Sequence, residues 1–450
     1  MRLYRYRSIK NALKEIEDGT FYFASHDELN DPIEGYIKVF WQGDRFAWEG
    51  LLRSYIYNLT IAISQYLLGR DLSTICKAQP LTSVNQIKNI PLQDMLRDLG
   101  KVFLDDSEIN DVTNFCGQPS FKVSKTELKM LLYLIHNKAL KLCISKCSEI
   151  NIIPREDAKN ILEFLSCSEI SRLPFDKMLK NLTYAEVINI ISQIFGNLLD
   201  DEFEFRCLKL NLDTNKKLNG NDRNSDENQR RNWLNILVDF PKLYVQQLIN
   251  MIYPESFVVC FSENNNNSAM WGNYADNHKG VCFIYETEGL KFTVKPIRYK
   301  GTLVERNFFE TFGRYTISEI KSFLTGADGT ISTSFEAFKN EEQWRNEYWE
   351  NHEIKTYQKL KEWEYEEEYR IVLTGTITDF SRKESRILTY NRKCLRGIIF
   401  GIGTSEDDKK RIMEKLAEHK NEYSNFEFWQ AEFNDESQSI CIREKRGWKI

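Results

Sequence analysis

The chain has 450 residues, 42% of them hydrophobic and 13% aromatic, enough to fill the cores of about two or three domains. Its 61 basic and 66 acidic residues leave a formal net charge of −5, which excludes a large nucleic-acid footprint but not a local basic groove. Ten cysteines at irregular spacing, with Cys143 and Cys147 the only close pair, and five histidines without ligand spacing argue for free thiols in a reducing cytoplasm and against a metal centre.

In chain order, "MRLYRYRS" alternates, so the spacing predicts a strand with Leu3, Arg5 and Arg7 on one face and Tyr4, Tyr6 and Ser8 on the other. Its spread of basic residues, with no apolar run behind it, gives no expectation of a secretory signal. Ile9 to Ile16 has helical periodicity and stops at Asp18-Gly19; "TFYFAS" reads as a second strand. Asn30-Asp31-Pro32 is a turn signature, read as a structural turn with a ligand contact as the alternative.

From Arg45 to Met251 strand signals give way to helical ones, at Trp48 to Leu68, Leu92 to Leu104, Lys125 to Cys147, Arg155 to Leu165, Tyr184 to Leu199 and Trp233 to Met251. A polar stretch from Asn215 to Asn232 reads as a loop. The most apolar runs, from Leu59 and Leu128, are broken by polar residues and fall short of a membrane span, so no membrane contact is expected. Val258 to Glu286 reads as strand, polar loop, amphipathic turn and strand, with Met270, Trp271 and Tyr274 at helical spacing. Trp271 suits a plain core position; Ser262, Tyr274 and His278 suit core and site equally.

"FTVKPIRYKG" from Phe292 reads as a short strand. If "KEWEYEEEYRIVL" from Lys361 to Leu373 is extended, Glu366, Glu368 and Arg370 share one face and Trp363, Tyr365, Glu367, Tyr369 and Ile371 the other. A charged solvated surface is the common reading of such a run, and the aromatic partner face favours a strand held in a core. "LRGIIFGIG", a helix from Glu406 to His419 and the strands "FEFWQAEF" and "SICIRE" complete the chain.

Six ordered marks, "LYRYRS" at Leu3, "NDPIEG" at Asn30, "CFSE" at Cys260, "MWGNYADNHKG" at Met270, "EEEYRI" at Glu366 and "IIFG" at Ile398, make the two ends of the chain resemble domain of unknown function 2971, a bacterial family. Asn273 stands where a histidine is more usual. The family's pattern in turn is similar to that of ADP-ribosyltransferases. The fold implied is an α+β, ADP-ribosyltransferase-like mixed β core built from residues 1–44 and 252–450, with a large all-α insertion at 45–251.

That second resemblance implies NAD as substrate, with Arg5 or Arg7 from the first strand, Ser262 from a middle strand and Glu368 as the late-strand carboxylate. Glu366 would act as general base; Tyr6, Trp271, Tyr274 and Arg370 would help to hold NAD. Breaking the ribose–nicotinamide bond develops an oxocarbenium-like cation that a carboxylate stabilises, and a guanidinium suits pyrophosphate. The resemblance implies an ADP-ribosyltransferase effector acting on a protein or nucleic-acid acceptor, in a toxin or antiphage defence role, with the insertion meeting a regulatory partner. Two alternatives stand beside it: an NAD glycohydrolase using the same site, and a non-catalytic module that binds a nucleotide or partner.

Overall fold

The alternation at the N-terminus is realised as a strand in the middle of a sheet, where both of its faces are covered. The computed structural model describes residues 1–67, 84, 87–167, 235–300, 304–375, 378–423 and 425–450. These fall into two compact units: Met1–Ile37 with Pro254–Val304 and Trp349–Ile450, and Lys38–Tyr253 with Glu305–Tyr348. The sequence draws its boundaries at 44/45 and 251/252; the units divide at 37/38 and 253/254, and residues 305–348 group with the helices.

The first unit is mixed α+β. Numbered within it, its strands are β1 (Arg2–Arg7), β2 (Thr20–Tyr22), β3 (Ala24–Ser25), β4 (Ser256–Ser262), β5 (Val281–Glu286), β6 (Lys295–Pro296), β7 (Arg298–Lys300), β8 (Gln358–Leu360), β9 (Glu368–Thr374), β10 (Ile387–Thr389), β11 (Leu395–Phe400), β12 (Glu427–Asn434) and β13 (Ser439–Glu444). Its α-helices are α1 (Ile9–Asp18), α2 (Ser268–Tyr274) and α3 (Glu406–Glu418), and it also holds the end of the helix Glu341–Thr356. Nine strands form a sheet curled into a half-barrel, in the order β13–β12–β11–β5–β1–β4–β9–β6, with β3 also on β4. Within it β11 and β12 run parallel, whereas β1 is antiparallel to both its neighbours.

One face buries Leu3, Val259, Phe261, Phe283, Tyr285 and Ile371 against Ala12 and Ile16 of α1 and Ile412 and Leu416 of α3. Helix α1 starts where the Ser8 hydroxyl accepts from the Asn11 amide and stops at Gly19, whose φ of 61° is the left-handed cap anticipated from Asp18-Gly19. On the other face Met270 and Trp271 of α2 cover Tyr6, Cys282, Ile284, Ile399 and Ala431.

Two strands anticipated as continuous are broken. "TFYFAS" divides at Phe23 into β2, which pairs with β10, and β3, which pairs with β4. "FTVKPIRYKG" yields β6 beside β9 and β7 beside β8. The sheet also splits. Strand β1 runs along β5 from Arg2 to Arg7 but meets β4 at the single pair Tyr4–Ser262, and β3 takes up the β4 edge at Phe257 and Val258. At Val259–Phe261 the β4 edge therefore pairs with neither β1 nor β3, and a gap opens there.

In the second unit, the helix Arg45–Leu67 is buried nearly all round, as expected of a central helix. It packs with Ile90–Leu104, Ser107–Cys116 and Lys125–Glu149, the last begun by a reciprocal Ser124–Glu127 capping box. Arg155–Cys167 and Phe240–Ile252 complete the described helices of the anticipated insertion, the latter after a π-turn at Asn235–Asp239. The unit is not purely helical, since Phe40 and Trp41 pair with Ser124 and Val123. The helix anticipated at Tyr184 to Leu199 and the polar loop at 215–232 lie outside the described residues. Cys116, Cys143, Cys147, Cys260, Cys282, Cys394 and Cys441 are free thiols, and among the described residues no helix is long and apolar enough to cross a membrane.

The turn after α2 brings backbones close together. Asp276, Asn277 and His278 take φ values of 49°, 52° and 66°, and a Cβ on Gly280 would lie 2.1 Å from the Arg7 carbonyl oxygen. Gly280→Ala should therefore lower stability by roughly 1–3 kcal/mol through a backbone shift, read as a fall in Tm. Gly272→Ala is the control, because its Cβ would meet nothing within 4 Å.

Candidate functional site

Strand β9 begins at Glu368, not in the preceding run. Lys361–Glu366 forms a 3-10 turn and Glu367 is left-handed with φ 45°, so the extended "KEWEYEE" face expected from alternation does not exist. Glu366, Glu368 and Arg370 nevertheless converge. The turn delivers Glu366, strand alternation delivers Glu368 and Arg370, and all three are buried.

They belong to a network the sequence reading did not complete. Arg370, 1% exposed, grips Glu368 through Nε to Oε1 at 2.6 Å and Nη2 to Oε2 at 2.8 Å, and Nη1 donates to the Thr356 carbonyl at 3.2 Å. It also pairs with Glu34. Lys359 lies 2.6 Å from Glu366 and 3.4 Å from both Glu368 and Glu34. Tyr274 of α2 donates to Glu366 Oε1 at 2.6 Å, and the Glu368 amide donates to the Tyr299 hydroxyl at 2.8 Å.

Glu34 arrives through the anticipated turn: the Asp31 carboxylate accepts from the Ile33 amide at 2.9 Å and the Asp31 carbonyl from the Glu34 amide at 3.1 Å. The turn was legible, and an acid two residues after its proline is the one signal in the sequence that points to Glu34. Lys359 sits in the three-residue strand β8, with no pattern to distinguish it from other lysines.

Burial, the largest influence, holds the Glu34 and Glu366 carboxyls above the ordinary value of 4.5, and the neighbouring Glu368 charge adds to it against Lys359 and Arg370. Burial also acts to raise Glu368, but the charge and paired donors of Arg370, helped by Lys359, reverse the balance and leave it below 4.5. Lys359 is raised: burial opposes its charge, and the three surrounding carboxylates outweigh it.

These groups line a cleft of about 370 Å³ at the gap between β1 and β4, with Tyr4, Arg5, Tyr6, Arg7, Asn11, Cys260, Ser262, Asn273 and Tyr274 also on its walls. Ser262 is opposite both Tyr4 and Glu368 in the sheet register. The first-strand side chain on the Ser262–Glu368 face is therefore Tyr4, one residue before the expected Arg5. Arg5 turns towards the other face, its guanidinium over Phe21 and Phe261 and 3.2 Å from Glu15. Arg7 reaches the same Glu15 at 2.9 Å, and Tyr285 donates to that carboxylate at 2.6 Å.

Ser262 is a fastener: its hydroxyl donates to the Glu366 carbonyl at 2.7 Å and accepts from the Asn264 amide at 3.0 Å. Tyr6 holds the same loop by donating to the Asn264 carbonyl at 2.9 Å. Trp271 is fully buried, is not on the cleft wall, and donates to the Asn265 carbonyl at 2.9 Å while meeting Tyr6 edge to face. It is a core residue, as its size and spacing allow. His278 serves the close turn, where its carbonyl accepts from the Gly403 amide at 2.9 Å.

Residues 270–371 match the model of a family described as Protein of unknown function (DUF2971). The matched span runs from α2 to β9 and contains Tyr274, Lys359, Glu366, Glu368 and Arg370; Arg5, Arg7, Glu34 and Ser262 lie outside it. No curated protein and no solved structure matches the chain.

The raised and lowered carboxyls act on stability with opposite signs. Stability from the protons kept by Glu34 and Glu366 is full below 4.5 and is lost as pH rises through their raised values; that from Glu368 is full above 4.5 and is lost as pH falls through its lowered value. Glu366→Gln, which cannot ionise, should flatten the fall of Tm on the alkaline side, and melts across pH that show an unchanged slope would contradict this. Arg370→Met should cost about 3–5 kcal/mol, because it strands buried carboxylates.

Proposed function

We propose that the cleft binds NAD and that the unit breaks the bond from ribose to nicotinamide, with Glu366 as the carboxylate that handles the proton. The reading is supported above all by the setting of Glu366, held between Tyr274 and Lys359 on the wall of a cleft that also carries Arg5 and Arg7. A buried carboxyl held above its ordinary range beside a cavity is the environment of an acid–base group. On this reading the unit is an ADP-ribosyltransferase-like, NAD-dependent enzyme of the cytoplasm.

In the reaction the C1′–N bond breaks and its electron pair leaves with the ring nitrogen, giving neutral nicotinamide and an oxocarbenium-like ribosyl cation. The carboxylate of Glu366 faces that cation and accepts a ribose hydroxyl hydrogen bond. A hydroxyl or water oxygen then forms the new bond to C1′, and its proton passes to Glu366 and on to solvent. Glu368, expected from the resemblance to be the essential group, is committed to Arg370 and Lys359, so in this mechanism it positions the network. Transfer to a protein or nucleic-acid acceptor would make the protein an effector of the toxin or antiphage defence kind, with the helical unit as the surface for a regulatory partner; water as acceptor would make it a glycohydrolase.

One observation favours the non-catalytic alternative. Both Glu368 oxygens and both Glu366 oxygens already accept hydrogen bonds within the network, as in a cleft built to bind rather than to react. Nicotinamide release from NAD, followed by chromatography with and without acceptors, separates the two. Glu366→Gln should slow release by ~10²–10³ while leaving the fold intact, whereas Glu368→Gln should chiefly lower Tm. Absence of release from the folded wild-type protein under every acceptor condition would leave the binding reading.

A further inference from the structure

The large sheet of the first unit ends differently on its two sides. One end of the strand order is β6, two residues long and carrying Pro296, an edge that a further strand cannot readily extend. The other is β13, whose six residues run in unbroken register with β12 from Trp429–Glu444 to Asn434–Ser439, with neither a proline nor a bulge. Among the described residues nothing pairs with its outer side. An open edge of this kind is a template for another strand.

The strip beside that edge is apolar. Alternation puts Trp429, Ala431 and Phe433 of β12 and Ile440 and Ile442 of β13 on the face that α2 covers further in. Ala431 and Ile440 are buried and Trp429 and Ile442 half-buried, but Phe433 is 57% exposed. The two ends of the strand carry opposite charge: Asp435 and Glu436 lie in the β12–β13 turn, and Arg443, Lys445 and Arg446 lie at the far end. Arg443 and Lys445 reach Glu432 at 3.3 and 3.4 Å and Arg446 reaches Glu444 at 3.1 Å, pairs open enough to solvent for another carboxylate to compete with them.

We propose that β13 pairs antiparallel with β13 of a second copy of this chain, continuing the sheet through a twofold axis at Cys441. Opposite residues in an antiparallel pair share a face, so Cys441 faces its own copy, Ile440 faces Ile442 of the second copy, and Ser439 faces its Arg443. The apolar row then runs from Phe433 and Ile440 across the seam to Ile442 and Ala431 of the second copy. A shift of two residues would instead set Glu444 against Ile440. The same register brings the acidic turn of each copy to the basic end of the other, with Glu436 towards Arg446. A second copy supplies this charge match by symmetry, at both ends of the seam at once. The contact is independent of the nucleotide reading.

Sedimentation equilibrium of the reduced full chain over a concentration series tests the pairing. The average mass should climb from the monomer value towards twice that value. Cys441→Lys, which sets two ammonium groups against each other on the axis, should hold the protein at the monomer mass, with an unchanged Tm as the check on folding. Glu436→Arg and Arg446→Glu, both at exposed positions, should each weaken association several-fold, and the two together should restore it. Diamide should link wild-type dimers through Cys441 and leave Cys441→Ser unlinked, because directly opposed residues bring Cα atoms to about 4.5–5.5 Å, within disulfide range. A wild-type protein that stays monomeric at every concentration overturns the proposal and leaves the edge to a strand of another protein. A dimer that survives Cys441→Lys and both charge reversals overturns it as well, by placing the contact elsewhere.

Discussion

A guanidinium sealed from solvent dictates most of what surrounds it. Arg370 cannot shed its proton, and desolvating it is expensive unless several acceptors meet it in good geometry. It meets them from three parts of the chain: Glu368 two residues earlier on β9, the Thr356 carbonyl, and Glu34 after the Asn-Asp-Pro turn. Those acceptors bring more negative charge than one cation balances, and Lys359 is drawn in between Glu34, Glu366 and Glu368. A hydrophobic replacement of similar volume would often be as stable. That makes a purely structural purpose a weak explanation for five buried ionisable groups beside a cavity.

The cavity has its own cause. A sheet that paired β1 fully with β4 would have no opening there. Because β1 leaves β4 after the Tyr4–Ser262 pair, strand and helix residues that would otherwise be core face a shared space. The loop above it is tied down through Ser262, Tyr6 and Trp271, each bonded to a carbonyl of the loop or of the turn holding Glu366. Three side chains expected to touch a ligand thus also hold this loop in place.

Much of the fold was legible because alternation and helical spacing are local: β1, α1, β4, α2, β5, β11, α3, β12 and β13 lie close to where the pattern puts them. Glu366, Glu368 and Arg370 were found together for a partly mistaken reason, since a left-handed Glu367 replaces the expected strand yet returns Glu366 to the same side. Arg5 shows the opposite failure. Its face within β1 was read correctly, but whether that face carries Glu368 depends on the register with β4, which no local pattern contains. Glu34 and Lys359 were missed because their importance is their meeting across more than 300 residues of chain.

The ion network holds Glu366 at the wall of a cleft proposed to take a nucleotide. A crystal structure of the Glu366→Gln protein grown with NAD tests it most directly. The account expects Arg370 still paired to Glu368 and Glu34, and the dinucleotide between β1 and β9 with a ribose hydroxyl within hydrogen-bond reach of residue 366. A cleft left empty under saturating NAD, or residue 366 turned away from a nucleotide bound elsewhere, would contradict it.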